Sequence, residues 1–382
     1  MDYIPYGKQF IDKEDKKSVL NSLSNDLITT GPLVEKFEKE LNKYLKCKYS
    51  YVCSSGTAAI HLAMLAIGLK KDDVILMPAV NFIASYNLAK IMQLKVFLVD
   101  VDEYTGQITP NKIIECIEKN KLIKISVLLT MYMGGFPENV QNLYTLRNKY
   151  KFLIIEDACH ALGSKYLYKK KVFKIGSCKH ADISTFSMHP LKTITSGEGG
   201  IITTNNLKIA KNIKLLRSHG IVRNKRKHWK YDILKHGFNY RLSDINCALG
   251  ISQLKKIDFF VKERKKIYEK YLLELKNFHP KLKIPEYSKK INSSYHLLIV
   301  NIIFSKLNKS KDQFMNYLIK HKIIAQQHYV PVYKFSIYKE EKNSYPGSEK
   351  YFKNSLSLPI FVNLNKKNQN KVIKVIKNFL DN

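Results

Sequence analysis

Three segments carry residue types whose order could do chemistry. In Ser187-Met188-His189-Pro190-Leu191-Lys192-Thr193-Ile194-Thr195-Ser196-Gly197-Glu198-Gly199-Gly200, one lysine stands in a turn after an apolar run. It is bracketed by Ser, His, Pro and small residues instead of other charges. An amine so placed can form a Schiff base with an aldehyde. In Phe152-Leu153-Ile154-Ile155-Glu156-Asp157-Ala158-Cys159-His160, acids end an apolar run. In open α/β sheets ligands bind at the carboxyl ends of strands, where a carboxylate can pair with a cationic nitrogen. In Cys53-Ser54-Ser55-Gly56-Thr57-Ala58-Ala59, small residues stand where a strand hands over to a helix. There, backbone N–H groups and the helix dipole favour an anion.

Each segment has a plainer reading taken singly: a Ser/Thr helix cap, a capping Asp, a solvated Lys. Together they are more specific. A lysine, an Asp for a pyridinium nitrogen and a phosphate cradle are what pyridoxal phosphate (PLP) needs. The order Gly56-Thr57, Asp157, Ser187 and Lys192 provides all three. Cys178-Lys179-His180 lacks a second ligand pair, so it reads as a structural loop and no metal is expected.

The elements that must position these residues alternate along the first two-thirds of the chain. Apolar runs predict strands at 48–54, 73–79, 95–100, 123–131, 152–159, 182–188 and 200–205. Helical spacing predicts helices at 57–69 and 109–119. Continuous apolar strands between helices imply a doubly wound α/β domain with a sheet buried on both faces. After about residue 243 the character changes. A long helical stretch over 244–276, broken or not, precedes strand-like 294–303, a helix at 311–322, a strand near 325–329 and a final helix at 366–380. The expected division is a large α/β domain, 1–250, and a smaller α+β domain, 251–382.

Composition bounds the function. The 382 residues are 45% hydrophobic, too apolar for a disordered chain, and carry a net charge of +33. Such a charge suggests a polyanion partner. Yet only six of the 65 basic residues are Arg, the side chain suited to bidentate phosphate and base recognition. The Lys residues are scattered, and the two runs, 169–171 and 223–230 with its lone Trp229, read as solvated loops. Net charge alone motivates a nucleic-acid-binding alternative, and no basic-aromatic pattern supports it. The six dispersed cysteines suit reduced thiols. The N-terminus has no apolar signal core, and the longest apolar run, 297–304, is too short to span a bilayer. A soluble cytoplasmic protein is expected.

The chain also resembles a known family. The segments Ile4-Pro5-Tyr6-Gly7, Thr29-Thr30-Gly31-Pro32, Gly176-Ser177-Cys178-Lys179, Phe186-Ser187-Met188-His189-Pro190-Leu191-Lys192 and Ser357-Leu358-Pro359-Ile360 carry the likeness over nearly the whole length. They are similar to the DegT/DnrJ-type sugar aminotransferases, of the type I PLP (aspartate aminotransferase-like) fold. That fold implies a mostly parallel sheet between helices and a smaller α+β C-terminal domain.

The resemblance implies roles. Lys192 matches the lysine that carries the cofactor and shuttles a proton. Asp157 matches the partner of the ring nitrogen, and His160 a residue near the ring's O3′ side. Phe82 matches the aromatic that stacks on the ring. Gly56, Thr57 and Ser187 match the phosphate cradle. Asn239 matches an Asn that reaches the phosphate from the neighbouring subunit, so a homodimer with shared active sites is implied. His328 and Tyr329, with Tyr6, match segments that hold the nucleotide sugar.

The implied reaction moves an amino group, from glutamate, to the C4 keto group of a UDP-linked 4-keto-6-deoxy sugar. The subfamily-like segments point to the branch serving pseudaminic acid biosynthesis. A C3-keto sugar or another 4-keto sugar is the alternative. Two departures, Thr130–Pro137 and Met188, are expected near the substrate side.

Overall fold

The computed structural model describes residues 3–224, 226–227, 229–338 and 344–381. The apolar runs become strands β1 (Tyr49–Cys53), β2 (Val74–Pro78), β3 (Lys95–Val99), β4 (Val127–Met131), β5 (Leu153–Asp157), β6 (Ile183–Ser187) and β7 (Gly200–Thr204). They form one sheet in the order β1-β7-β6-β5-β4-β2-β3. The pairs from β6 to β3 are parallel, and β7 is antiparallel to both its neighbours. Every residue of β4, β6 and β7 is buried. Neighbouring side chains face opposite cores, Ile154 one and Ile155 the other, so both faces are apolar. The register pairs Met131 with Asp157 and Asp157 with Thr185, which aligns the carboxyl ends of β4, β5 and β6.

Local chemistry sets the helix starts. Ser55 caps the Gly56–Ala66 helix by accepting from the Ala58 N–H at 3.1 Å. Pro110 opens the Pro110–Lys119 helix behind a Thr109 cap, and Ile113, Cys116 and Ile117 form its buried face.

A second core lies toward the C-terminus. Leu298, Val300, Leu318, Leu356, Leu358, Val372 and Ile376 pack there with Ile4 from the other end of the chain. Ile4 is tied in by its backbone: its N–H donates to the Lys322 carbonyl, and its own carbonyl accepts from Ile324. The Ile257–Leu275 helix reaches both cores. Its Ile257 and Phe260 pack with residues around the main sheet, and its Ile267, Tyr271 and Leu275 with the C-terminal set.

Several expectations shift. The stretch 244–276 is two helices, Asp244–Leu254 and Ile257–Leu275. The expected strand from 123 begins only at Val127, and Ile123 is fully exposed. The run from 294 becomes a strand only over Leu298–Ile302. The expected strand at 325–329 does not form: a single bridge, Gln326 to Ser357, remains. The next residues diverge from that edge, and His328 turns its ring to the Ser357 hydroxyl.

The Lys13–Leu23 and Pro32–Leu45 helices and the hairpin of Lys165–Tyr168 with Lys171–Lys174 have no counterpart in the sequence reading. The run 169–171 is the tip of that hairpin, with Lys169 and Lys170 at positive φ. The run 223–230 is the turn of the Ile221–Arg223 and Tyr231–Ile233 hairpin, except that Lys225 and His228 lie outside the described residues. Among the described residues, no helix is long and apolar enough to cross a membrane.

Candidate active site

The carboxyl ends of β5 and β6 and the start of the Gly56–Ala66 helix open into a cleft of about 680 Å³. Tyr6, Gly56, Thr57, Phe82, Asp157, His160, Ser187, Lys192, His328 and Tyr329 all line it. Asn239 does not: it is exposed, and its backbone bridges to Ser218. A larger hollow, about 1070 Å³, lies beside 282–291 and holds none of the expected residues.

The floor is built from strand ends. Gly56 is buried, and a Cβ there would meet the Ser187 Cβ at 2.8 Å and the Cys159 Sγ at 3.4 Å. Only glycine permits that approach. Gly56 and Thr57 occupy a first helical turn, whose N–H groups have no intrahelical partner. Ser187 ends β6 beside them, and its Oγ accepts from the His189 N–H at 3.3 Å. The chain then turns back tightly, with the Lys192 N–H donating to the His189 carbonyl at 2.9 Å.

Asp157 is 3% exposed, and its Oδ1 accepts from the Cys159 N–H at 3.1 Å. Burial raises its pKa, while the charge of Lys192 opposes the rise. Burial in turn lowers the pKa of Lys192, with the Cys159 and Asp157 charges opposing. A carboxylate this deep calls for a cationic partner.

The opposite wall is aromatic and neutral. The Tyr329 hydroxyl lies 2.9 Å from His160 Nε2. Nδ1 of His160 is buried without a partner among the described residues. His328 Nδ1 lies 2.9 Å from the Ser357 Oγ. Burial, then the charge of Lys192, pushes His328 down to about 3. Burial also holds His160 well below the usual imidazole range, helped by Lys192 and His328. Phe82 is half exposed at the mouth, its ring 5.6 Å from that of Tyr329.

The sequence reading missed several lining residues: His189, Glu198, His296, Gln326 and Gln327. Glu198 and His189 stood inside the lysine segment. His296 and the Gln pair carried no local signal. One departure is corrected. Met188 is fully buried in the core with Ile194 and Leu242, and so lies away from the substrate side. Met131, from the other, does line the cleft.

The donor set suits a phosphate at an amide-rich helix start, a cationic ring nitrogen at a buried carboxylate and an aldehyde at a buried amine. The cleft leaves room for such a group, and His160 Nδ1, unpaired among the described residues, leaves an unmet polar group. With a mostly parallel sheet between helices, this defines the type I class of PLP-dependent aminotransferases.

Residues 9–377 match the DegT/DnrJ/EryC1/StrS aminotransferase family model, and the chain belongs to that family. Its cofactor is PLP. A UDP-4-amino-4,6-dideoxy-N-acetyl-beta-L-altrosamine transaminase of Campylobacter jejuni subsp. jejuni serotype O:23/36 (strain 81-176) is 37% identical, covering 95% of this chain and 94% of that one. A GDP-perosamine synthase of Escherichia coli O157:H7 is 28% identical, with 95% of each covered. The structure of Helicobacter pylori PseC, an aminotransferase involved in pseudaminic acid biosynthesis, superposes with a TM-score of 0.90 at 28% identity and full coverage of both chains.

Proposed function

We propose that this enzyme transfers the amino group of glutamate to the C4 keto group of a UDP-linked 4-keto-6-deoxy sugar, in a pathway of the pseudaminic acid type. The observation that carries this reading is the 37% identity to the Campylobacter transaminase over almost the full length of both chains.

PLP would supply an electron sink for the charge left on the donor's Cα when its proton departs. The chain's residues do the rest. Gly56, Thr57 and Ser187 would hold the phosphate. Asp157 would bind the ring nitrogen and keep its proton in place. Phe82 would cover one ring face, and His160 would stand near the ring's oxygen side. Lys192 would hold the aldehyde, and its amine would serve as the base that takes the proton from the donor's Cα and as the acid that gives it back. A burial-lowered pKa suits a base that must be unprotonated near neutral pH. Tyr6, His328 and Tyr329 form the wall for the sugar.

A homodimer with shared sites belongs to the same reading. Asn239 is exposed, and beside it Trp229, Tyr231, Ile233 and Leu234 present apolar side chains on one hairpin and its flank. A second copy covering them would bring Asn239 to the neighbouring phosphate. The division into 1–250 and 251–382, and a cytoplasmic setting, are also part of this reading.

The test is incubation with UDP-4-keto-6-deoxy-L-AltNAc and glutamate, with the product solved by NMR. An amine at C4 is expected. An amine at C3, or no product, would overturn the assignment. The similarity to a GDP-perosamine synthase favours one rival, a GDP-linked acceptor, and the same assay with a GDP-linked 4-keto sugar separates the two.

A further inference from the structure

His296 is assigned no task above, yet it lines the cleft. Its side chain is 5% exposed, and Nδ1 is buried without a partner among the described residues. Native proteins seldom leave such a group unpaired, because its desolvation is not recovered. Its backbone is fixed from both sides. The N–H donates to the Gly134 carbonyl at 3.0 Å, and the carbonyl accepts from Arg264 Nη1 at 3.2 Å. Arg264, 2% exposed on the Ile257–Leu275 helix, also donates to the Ile360 carbonyl at 3.0 Å. The Ile360 N–H in turn donates to the Tyr6 carbonyl at 3.0 Å. One buried guanidinium therefore links the segments that bring His296 and Tyr6 to the cleft.

We propose that His296 is a substrate-binding residue that exchanges a hydrogen bond with an uncharged polar group of the acceptor, a sugar hydroxyl or amide. The inference rests on the reading that the acceptor is a nucleotide-linked keto sugar. Two observations select an uncharged group. The His296 ring lies 4.4 Å from that of His160, tilted by 50°. Burial first, then the charges of His160, Lys192, Arg264 and His328, opposes a positive charge on it. A carboxylate of the amino donor would be matched by a cation, and this imidazole stays neutral. A neutral ring offers one donor and one acceptor, which is what a hydroxyl or amide uses.

The experiment separates the two half-reactions on cofactor-loaded protein. The donor half is followed by the change in cofactor absorbance on adding glutamate alone. The acceptor half is followed with the UDP-linked 4-keto sugar. His296→Phe keeps a ring against His160 and removes both nitrogens. It should raise the acceptor KM about tenfold, the loss of one hydrogen bond. The donor half-reaction, cofactor affinity by fluorescence titration and the melting temperature should stay near wild type. His296→Gln should recover most of the lost affinity.

If His296→Phe does not fold, His296→Gln against His296→Met poses the same question with and without a polar atom. Equal losses in both half-reactions, or an unchanged acceptor KM, would overturn the inference. Wild-type protein that fails to aminate the sugar would overturn the functional reading, and this inference with it. Wild-type turnover beside an unaffected His296→Phe overturns this inference alone.

Discussion

The two sides of the cleft are built differently. The floor, from Gly56 through Asp157, Ser187 and Lys192, stands on strand ends and on a turn a few residues away. Each residue is placed by its own strand, and the sheet register sets strand against strand. The wall, from Tyr6 through His296, His328 and Tyr329, is placed by contacts distant in sequence. Ser357 holds His328, Arg264 holds His296, and Ile360 holds Tyr6. Chemistry shared by a whole reaction class suits a rigid floor. Discrimination among acceptors suits a wall assembled from separate pieces, each of which can change without disturbing the floor.

The comparison can be broken by asking where substitutions hurt. The largest effect is expected at the floor. Lys192→Ala should abolish turnover and the visible absorbance of the lysine-bound cofactor; retained transamination would contradict the assignment. Asp157→Asn should come next, with a loss of about a hundredfold or more in kcat and weaker cofactor retention on dialysis.

The wall should show in pH instead. His328 is pushed down to about 3 when folded, so the unfolded chain binds its proton first as pH falls. Its contribution to stability is fully present above the ordinary imidazole range, near 6.5. It is lost as pH falls from there toward about 3. His328→Gln should flatten that part of the denaturant-midpoint profile, and an unchanged slope would place the titration elsewhere. The smallest effect is expected for Tyr329→Phe, which removes the hydroxyl at His160. A rise of roughly threefold to tenfold in acceptor KM, with the donor half-reaction nearly intact, would match one neutral hydrogen bond.

The same division governs what could be read from the residues. Buried strands announce themselves as apolar runs, so Asp157, Ser187 and Lys192 could be placed at their ends before any contact was known. Gly56 and its Ser55 cap were legible for the same reason. On the wall, Tyr6, His328 and Tyr329 were named only through family resemblance, and His296 was missed. His296 follows Ser293-Ser294-Tyr295, which reads like the polar start of a strand. What brings it to the cleft is a hydrogen bond to Gly134, more than 150 positions away. The strand expected at 325–329 failed for a related reason: the segment leaves its neighbour after one bridge to bring His328 and Tyr329 to the cleft. The Lys13–Leu23 helix did have a signal, the capping box of Asp12 with Asp15, hidden in a Lys-rich stretch.

The Ile257–Leu275 helix, whose residues belong to both cores, ties their fates together. Fraying it strips apolar cover from both sets of side chains at once, so neither core has a cheap route to melting alone. Heat should then take the chain apart in one cooperative step, and the slowest-exchanging amides of this helix should report the stability of the whole molecule.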